Sequence, residues 1–282
     1  MKPDIITNAI NKTLASAASL VKVALMSKAV SPAAREGENR ELVILGNGPS
    51  LRYTIDNNME WLETHDLMAV NFAAITPDFL LLRPKYYILA DGHFFAGITA
   101  DPNVKKLWMA FKNVSWEMTL LLPAKFRHLV KPLVMDCSNI RLRFFNLTPI
   151  EGFRPLTHFL MRNGLGMPRP RNVMIPAIME GIRLGYRKIY LCGADHSWTK
   201  TLDVDNENFV VSVQPHFYQD NEDEYKRVRE TYKGLRLHDV LGSMTIAFRS
   251  YWEIAAYAAK RKVEIINATP GSMIDAFPRL EK

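Results

Sequence analysis

The stretch Glu41-Leu-Val-Ile-Leu-Gly-Asn-Gly-Pro-Ser-Leu51 decides the fold class of this chain. Its first half is mostly β-forming, which is the pattern of a strand covered on both faces. Gly46 and Gly48 then allow a sharp turn close to a ligand, while Pro49 and Ser50 suit the first turn of a helix. Free N–H groups at such a helix start favour an anion. The stretch predicts a strand followed by a phosphate-binding turn, although an ordinary strand-to-helix turn has the same residues.

Two standard nucleotide-binding loops are excluded at this turn. Leu51 stands where the third glycine of the dinucleotide fingerprint falls, and no Gly-Lys-Ser/Thr follows as in a Walker-type loop. The turn is therefore a candidate nucleotide site of a different kind.

Strand-like and helical runs alternate over residues 41–282. This rhythm predicts an α/β domain with a mostly parallel, Rossmann-like sheet, helices on both faces and a small lid at about residues 196–245. After the first strand, strands are predicted at Leu67–Val70, Lys85–Ala90, within Phe126–Met135, at Lys188–Cys192 and at Val263–Ile266. Helices are predicted at Asn57–Thr64, at Asn172–Leu184 before the C-cap residue Gly185, and at Ser250–Ala259.

Residues 1–40 are predicted to form an amphipathic helix and a polar linker, the latter over Ser31–Arg40. Apolar residues recur at three- and four-residue spacing, at Ile6, Ile10, Leu14, Ala17, Val21, Ala24 and Leu25. With its lysines, this helix could lie on the inner surface of an anionic membrane, or pack on the domain or a partner subunit. Lys22 interrupts the apolar run, so the sequence predicts neither a membrane span nor a secretory signal.

The composition is that of a globular protein with an anionic partner. Hydrophobic residues make up 48% of the 282 residues and the formal net charge is +7. The basic residues are scattered, without a nucleic-acid motif, so nucleic acid is not the predicted partner. Cys137 and Cys192 are far apart, which argues against a disulfide framework or a structural zinc and agrees with a reducing compartment.

Polar side chains end the predicted strands, at Asn47, Asn71, Asp91, Asp195 and Asn267. The carboxyl ends of parallel strands share one edge of a sheet, where ligands bind. Together these residues can recognise a sugar or a base by hydrogen bonds. Asn and Asp also favour strand-exit turns for purely local reasons.

The segment Gly193–Lys200 carries the first group of candidate chemical residues. His196 can donate to a phosphate or act as an acid or base near neutral pH. Ser197 follows it, and Trp198 can cover a base or sugar ring. The acidic tract Asp203–Asn208 does not have the spacing of a calcium loop, so it is interpreted as part of a solvated lid.

Further histidines and arginines are candidates for acid–base and phosphate chemistry. His216 lies in an aromatic island, and His238 is followed by a glycine turn. Either could be the base that deprotonates an acceptor hydroxyl, although a lone histidine is more often a plain surface or core residue. Arg169 and Arg171 precede a helix and could neutralise a phosphate, or form an exposed basic loop.

Two stretches resemble those of a known family. Ile44–Leu51 and Gly181–Asp195 are similar to the opening and the internal helix-glycine-strand segment of bacterial sialyltransferases of glycosyltransferase family forty-two. The same blocks occur in a broader group related to flagellin-modifying motility accessory factors and to a pterin pyrophosphokinase-like domain. Asn267–Arg279 resembles the closing segment of that broader group.

The resemblance implies a GT-A-like variant of the Rossmann-like fold that binds a CMP-activated acidic sugar without a metal. By position, the residues that would contact the nucleotide are Gly46, Asn47, Gly48, Pro49, Ser50 and Asn71. Asp91 stands where the sialyltransferases have another asparagine. The region of the family's lid tyrosines is occupied by Gly193, Asp195, His196, Ser197 and Trp198, with Tyr218 further on. The nearest match to the family's catalytic histidine is His238, whereas counting back from the last strand reaches Thr245.

The resulting expectation is a glycosyltransferase that moves a sialic acid-like or other nonulosonic or ulosonic acid from a CMP-sugar to a surface-glycan or glycolipid acceptor. No bound cofactor is expected, and the family's members are often homo-oligomers. The expected location is cytoplasmic, where the N-terminal helix could hold the protein peripherally on the inner face of the membrane. Two alternatives remain open: a pterin-type pyrophosphokinase that uses ATP and magnesium, and a non-catalytic nucleotide-binding subunit of glycan assembly.

Overall fold

The computed structural model of the chain describes residues 3–96, 98, 100–212 and 234–280. The α-helices are α1 (Pro3–Met26), α2 (Ser50–Asn57), α3 (Met59–Glu63), α4 (Asp78–Leu82), α5 (His93–Ala96), α6 (Pro102–Phe111), α7 (Arg127–Val130), α8 (Arg154–Arg162), α9 (Met174–Arg183) and α10 (Leu237–Arg261). The strands are β1 (Leu42–Leu45), β2 (Asp66–Val70), β3 (Tyr86–Ile88), β4 (Met118–Pro123), β5 (Ile140–Phe145), β6 (Lys188–Cys192), β7 (Leu202–Val204), β8 (Val210–Ser212) and β9 (Glu264–Asn267). Short 3-10 helices cover Asn71–Ile75, Ala124–Phe126, Lys131–Val134 and Trp198–Lys200.

One seven-stranded sheet organises the domain, in the order β5-β4-β3-β2-β1-β6-β9, and its neighbouring strands are parallel. From β1 the chain adds strands on one side as far as β5, then returns to the other side of β1 with β6 and β9. The order therefore reverses between β1 and β6. In open α/β sheets, ligands bind at such a reversal, outside the carboxyl ends of the strands. The predicted α/β class with a mostly parallel sheet is confirmed.

Alternate residues of the buried strands pack into cores on opposite faces of the sheet. In β1, Leu42 and Ile44 belong to a core that contains residues of α9 and α10. Val43 and Leu45 belong to another core, together with Leu51 of α2. Because side chains alternate across a strand, a continuous apolar run buries both faces. This is why the opening strand has no polar residue between Leu42 and Leu45.

The strand predicted within Phe126–Met135 is wrong. This segment forms short helical turns, and the strands of this region are β4 before it and β5 after it. Phe126, Val130 and Val134 recur at four-residue spacing and are partly or fully buried, so the apolar pattern is helical rather than alternating.

Two predicted helices differ in their extent. The helix predicted at Ser250–Ala259 begins earlier, at Leu237, so α10 includes residues 237–245 of the predicted lid. The helix predicted at Asn57–Thr64 corresponds to α3, the second of two short helices that meet at Asn58. In the segment predicted to be a lid, β7 and β8 pair antiparallel.

The N-terminal helix is long, and it is uninterrupted at Lys22. By length and composition alone, Ile6–Met26 (21 residues, mean hydropathy 1.2) could cross a membrane. Only 11% of its most apolar stretch is buried against the domain. The expectation that this segment does not span a membrane is not tested by length and composition, so it stays a prediction. The same features are found in core helices and in signal sequences.

The predicted linker is held to the domain by a buried ionic cluster. Glu180 of α9 is 1% exposed, and its carboxylate accepts from Arg183 Nη1 at 2.7 Å and lies 3.8 Å from Arg143 Nε. Arg183 also donates to the carbonyl of Ser31 at 2.6 Å and accepts from Ala34 N at 2.8 Å. The linker is thus held to the domain, because its carbonyls at Ser31 and Pro32 accept hydrogen bonds from Arg183 and Arg143.

We predict that Glu180→Gln lowers the free energy of unfolding by about 3 kcal/mol, because it leaves buried guanidinium charge without its partner. Glu38→Gln is the matched control, since its contact with Arg35 is 3.9 Å long and solvent-exposed, and it should change stability by at most about 1 kcal/mol. Urea unfolding of both variants measures the difference. Equal losses would contradict the buried-cluster assignment.

Candidate functional site

A cleft of about 400 Å³ lies at the point where the strand order reverses. The loops that follow β1, β2, β3 and β6 line it, together with the segment before α9. Most of the predicted site residues are among its walls: Gly46, Asn47, Gly48, Pro49, Asn71, Asp91, Arg171, Gly193, Asp195, His196, Ser197 and Trp198. The structure thus brings together residues that are up to about half the chain apart in sequence.

The turns after β1 and β6 cross in backbone contact. Gly46 N donates to the carbonyl of Cys192 at 2.7 Å, and Gly48 N donates to that of Gly193 at 2.8 Å. A Cβ on Gly46 would lie 2.5 Å from Gly193 O, and one on Gly48 would overlap the Asp195 carboxylate. The glycines are therefore required by the crossing of two turns.

This crossing uses two backbone N–H groups of the predicted phosphate turn. The N–H groups of Gly46 and Gly48 are already bonded, so they are not free for an anion. Ser50 does not cap α2, because its hydroxyl donates to Asp195 Oδ2 at 2.7 Å, and Ser50 does not line the cleft. The carboxylate of Asp195 beside the turn also opposes an anion there. Whether this turn binds a phosphate stays a prediction.

Three asparagines on the cleft wall have a buried amide atom without a hydrogen-bond partner among the described residues. They are Oδ1 of Asn47, Oδ1 of Asn71 and Nδ2 of Asn172. The orientation of two amides is set by their other atoms, since Asn47 Nδ2 donates to Val70 O at 3.3 Å and Asn172 Oδ1 accepts from Met174 N at 3.0 Å. An unsatisfied buried polar atom costs about 1–3 kcal/mol, which a ligand can offset.

Two residues of the cleft wall have unusual backbone dihedral angles, which set the direction of their side chains. Asn71 and His196 both have left-handed backbone, with φ of 50° and 51°. Tyr87 holds the turn at Asn71, because its hydroxyl donates to Asn71 O at 2.5 Å and accepts from Ala74 N at 2.8 Å. Such backbone costs free energy in non-glycine residues and persists where surrounding contacts fix it.

His196 is a buried, neutral histidine. Its Nε2 lies 2.6 Å from Tyr251 Oη, which donates in turn to Asn172 Oδ1 at 2.9 Å. Since the tyrosine proton is committed to Asn172, Nε2 of His196 carries the proton and Nδ1 is an acceptor. Burial lowers the pKa of His196 to about 3, so the imidazole does not carry the positive charge expected for a phosphate contact.

Trp198 lies against His196 on the cleft wall. Its ring centroid is 4.3 Å from that of the imidazole, at an interplanar angle of 32°, and 6.0 Å from that of Phe248. The indole therefore covers one face of His196 and helps to exclude water from it. Whether Trp198 also covers a base or sugar stays a prediction.

Sequence reasoning missed His93, which lines the cleft beside Asp91. Its ring atom Nε2 lies 2.7 Å from Asp101 Oδ2, and its backbone N–H donates to Asp91 Oδ1 at 2.9 Å. Burial alone would raise the pKa of Asp101, but the hydrogen bond from His93 lowers it below its usual value. A carboxylate that holds an imidazole in one orientation is an arrangement suited to a general base.

The other candidates fall into different positions. Arg171 lines the cleft, whereas Arg169 forms two hydrogen bonds with Glu151, at 2.8 Å and 2.6 Å. Asn267 is buried and bonds to Ser272 and to the backbone of Thr269 and Ile274, so it supports a turn and does not line the cleft.

The predicted base candidates outside the cleft wall are not tested by this geometry. His238 is the second residue of α10, its side chain is 83% exposed, and its Nε2 lies 3.5 Å from Asp239 Oδ1. Thr245 is an exposed residue of the same helix that bonds to Leu241 O. His216 and Tyr218 lie outside the described residues. Their proposed roles stay predictions.

The cleft residues that sequence reasoning missed do not stand out in the sequence. His93 follows Asp91-Gly92 directly after β3, and Asn172 precedes α9, but neither sits in a recognisable motif. Tyr251 lies within a long helix and gave no signal. Over the described residues, no group of three or more His, Cys, Asp or Glu side chains is arranged to hold a metal ion.

Comparison with solved structures identifies a neighbour with the same fold. The structure of the MAf glycosyltransferase from Magnetospirillum magneticum AMB-1 matches with a TM-score of 0.52 at 13% sequence identity. The match covers 93% of this chain and 37% of that one, so this chain spans little more than a third of the neighbour's length. The fold is similar to that of a glycosyltransferase. No protein-family model and no curated protein matches the sequence.

The glycosyltransferase-like fold agrees with the broader group suggested by the sequence blocks. Ile44–Leu51 forms β1, its turn and the start of α2, and Gly181–Asp195 forms the end of α9 and β6. The two blocks therefore lie side by side at the strand-order reversal. The narrower resemblance to sialyltransferases of family forty-two is not confirmed by this neighbour.

We predict that Gly48→Ala destabilises the protein by about 1–3 kcal/mol, because its Cβ would lie 2.6 Å from Gly193 O and overlap Asp195. Gly242→Ala in α10 is the control, since no heavy atom lies within 4 Å of its added Cβ, and a helical alanine should stabilise by up to about 1 kcal/mol. Thermal unfolding measures both. A neutral Gly48→Ala would contradict the crossing described above.

Proposed function

We propose that this protein is a glycosyltransferase that uses a nucleotide-activated sugar as donor and a glycan or glycolipid as acceptor. The proposal rests chiefly on one observation: three asparagines with unpaired buried amide atoms line the cleft at the strand-order reversal. Two acceptors and one donor of hydrogen bonds suit the hydroxyl and amide groups of a nucleoside and a sugar. The similarity to a glycosyltransferase fold supports this assignment.

The donor we propose is a CMP-linked acidic sugar, sialic acid-like or another nonulosonic or ulosonic acid. Among the described residues of the cleft wall, Arg171 is the one Lys or Arg side chain. Asp91 and Asp195 are the carboxylates of the same wall. A single guanidinium matches a single phosphodiester better than a di- or triphosphate. The two carboxylates can accept from ribose or sugar hydroxyls. The position of Asn47 to Ser50 in the resembling sequence block supports CMP further.

The base we propose is His93, positioned by Asp101. With Nε2 bonded to Asp101, Nδ1 of the imidazole is left as the acceptor for the proton of the attacking hydroxyl. The new glycosidic bond forms as the bond from sugar to phosphate breaks, and CMP leaves with the electron pair. Arg171 and hydrogen-bond donors of the cleft offset the charge on the leaving phosphate. Transfer without a bound metal or cofactor is part of the proposal.

A second candidate is a pyrophosphokinase acting on a pterin-like substrate. The observation that favours it is the pair of carboxylates, Asp91 and Asp195, since a Mg²⁺–ATP complex is commonly held through one or two carboxylates. A non-catalytic nucleotide-binding subunit of glycan assembly is the third. We place the reaction in the cytoplasm, in agreement with free and buried Cys137 and Cys192.

We predict that CMP stabilises the protein in a thermal-shift screen against CDP, UDP, GDP, ADP and ATP, equally with magnesium and with EDTA. Ligand at a hundredfold excess over its Kd raises the free energy of unfolding by about 2.7 kcal/mol.

We also predict that Asn47→Ala weakens the affinity for CMP about tenfold, because it removes a hydrogen-bonding group proposed to contact the ligand.

Asn57→Ala is the matched control for that screen. Like Asn47, Asn57 donates one hydrogen bond to a backbone carbonyl, but it is exposed on α2 and away from the cleft. It should leave CMP binding unchanged. Magnesium-dependent stabilisation by ATP, with no response to CMP, would overturn the transferase proposal and favour the pyrophosphokinase.

We predict that His93→Gln lowers turnover of CMP-sialic acid, measured as CMP release, by about 10²-fold or more while CMP still stabilises the protein. His238→Ala should leave turnover within about twofold of the wild type, because its exposed imidazole lies off the cleft wall. The reverse result, with turnover lost in His238→Ala and kept in His93→Gln, would assign the base to His238.

A further inference from the structure

The N-terminal helix packs on the domain through its serines. Ser19 Oγ donates to Glu151 O and accepts from Glu151 N, both at 2.8 Å. Ser16 Oγ accepts from Phe153 N at 3.0 Å, and Ser27 Oγ bonds to Thr148 Oγ1 at 2.8 Å. Ser16 and Ser19 are buried. The polar side of α1 is therefore the side that meets the protein.

A glycine fixes how close this contact is. A Cβ on Gly152 would lie 2.8 Å from both the N and the Cα of Ser16, so α1 lies directly on the backbone of the loop before α8. Gly152 has a φ of 126°, which favours glycine in any case. The orientation of α1 is thus set by close polar packing.

The opposite side of α1 is apolar and exposed. We call Ile10, Leu14, Val21 and Leu25 the outer stripe; their exposed fractions are 54%, 63%, 57% and 74%. They recur at four and seven residues and so share one face of the helix. A terminal helix that packs on its own domain normally buries such a face, and here the arrangement is inverted.

The charged residues of α1 between Ile6 and Met26 lie away from the outer stripe. Between Ile6 and Met26, Lys12 and Lys22 are the charged residues. Lys12 precedes Ser16 by four residues, which puts it on the side of the serines, and Lys22 is half-buried. No side chain in this range therefore has to be neutralised for the stripe to enter an apolar phase.

We propose that the outer stripe of α1 binds the surface of an anionic lipid bilayer, with the helix in the plane of the membrane. The serine contacts hold the helix to the domain along its length from Ser16 to Ser27, which favours a helix lying on the membrane over one that crosses it. This inference goes beyond the proposed function and does not depend on it.

A basic segment beside the helix end completes the surface. Arg127 Nη2 donates to the carbonyl of Ala29 at 2.7 Å, which places α7 next to the end of α1. Lys125 and Lys131 are exposed around it, as is Lys28, and residues 125–131 contain no carboxylate. A cluster of cations next to an apolar stripe is the combination that recognises anionic headgroups.

The same charges argue against a second copy as the occupant. Pairing two chains would bring together two formal net charges of +7, whereas an anionic bilayer neutralises that charge. The basic segment would gain no partner from an uncharged stripe on another copy.

The test is co-sedimentation of the full chain with vesicles of mixed phosphatidylglycerol and phosphatidylcholine, and with vesicles of phosphatidylcholine alone. The wild type should bind the anionic vesicles, less at high salt, and the neutral vesicles weakly. The double variant Leu14→Gln with Val21→Gln should bind the anionic vesicles about tenfold more weakly, since it removes apolar area without changing the charge.

Leu80→Gln with Leu81→Gln is the matched control, because these α4 leucines are 57% and 62% exposed, as are Val21 and Leu14 at 57% and 63%. It should bind like the wild type. Ile10→Gln with Leu25→Gln serves as a second stripe variant, and circular-dichroism melting checks that each variant folds.

Wild-type levels of binding in both stripe variants, equal loss in the control, or no binding by the wild type would each overturn the proposal. So would a wild-type dimer, seen by light scattering without vesicles, that the stripe variants abolish. Nucleotide binding by the stripe variants should be unchanged, which separates failure of this proposal from failure of the proposed function.

Discussion

The backbone crossing between the turns after β1 and β6 is the contact on which the rest of this structure depends. Two hydrogen bonds and three glycines bring Gly46 and Gly48 against Gly193, at the point where the strand order reverses. Side chains on either turn would hold the strands apart. With the turns in contact, the loop that follows β6 extends over the cleft and carries Asp195 and His196 to its wall. The site is thus a consequence of the sheet's topology.

Burial and carboxylate contacts decide what each histidine can do. His196 is desolvated and hydrogen-bonded to a tyrosine, so it stays neutral. His93 is partly exposed, and the carboxylate of Asp101 holds its ring by a hydrogen bond to Nε2. His238 is largely in solvent. The three side chains are the same chemical group, and the differences between them arise from their neighbours. These neighbours lie fifty-five residues away for His196, eight for His93 and one for His238.

This explains how far sequence reasoning reached. Strand-end residues on a parallel sheet converge for topological reasons, so Asn47, Asn71, Asp91 and Asp195 could be predicted as wall residues from the alternating pattern alone. Asn267 has the same local position, but the closing turn absorbs its amide. The partners Tyr251 and Asp101 are supplied by helices whose sequences serve their own packing and capping, and no local pattern marks them.

Periodicity has a similar limit at the N-terminus. The spacing from Ile6 to Leu25 identifies a two-sided helix, but it does not say which side meets the domain. Here serines take the inner side, because a helix can be held closely by hydrogen bonds to the loop at Glu151 and Phe153. Leaving several large apolar side chains in water is unfavourable by roughly 25 cal/mol per Å² of exposed surface. An apolar partner that covers the outer stripe would therefore stabilise this arrangement.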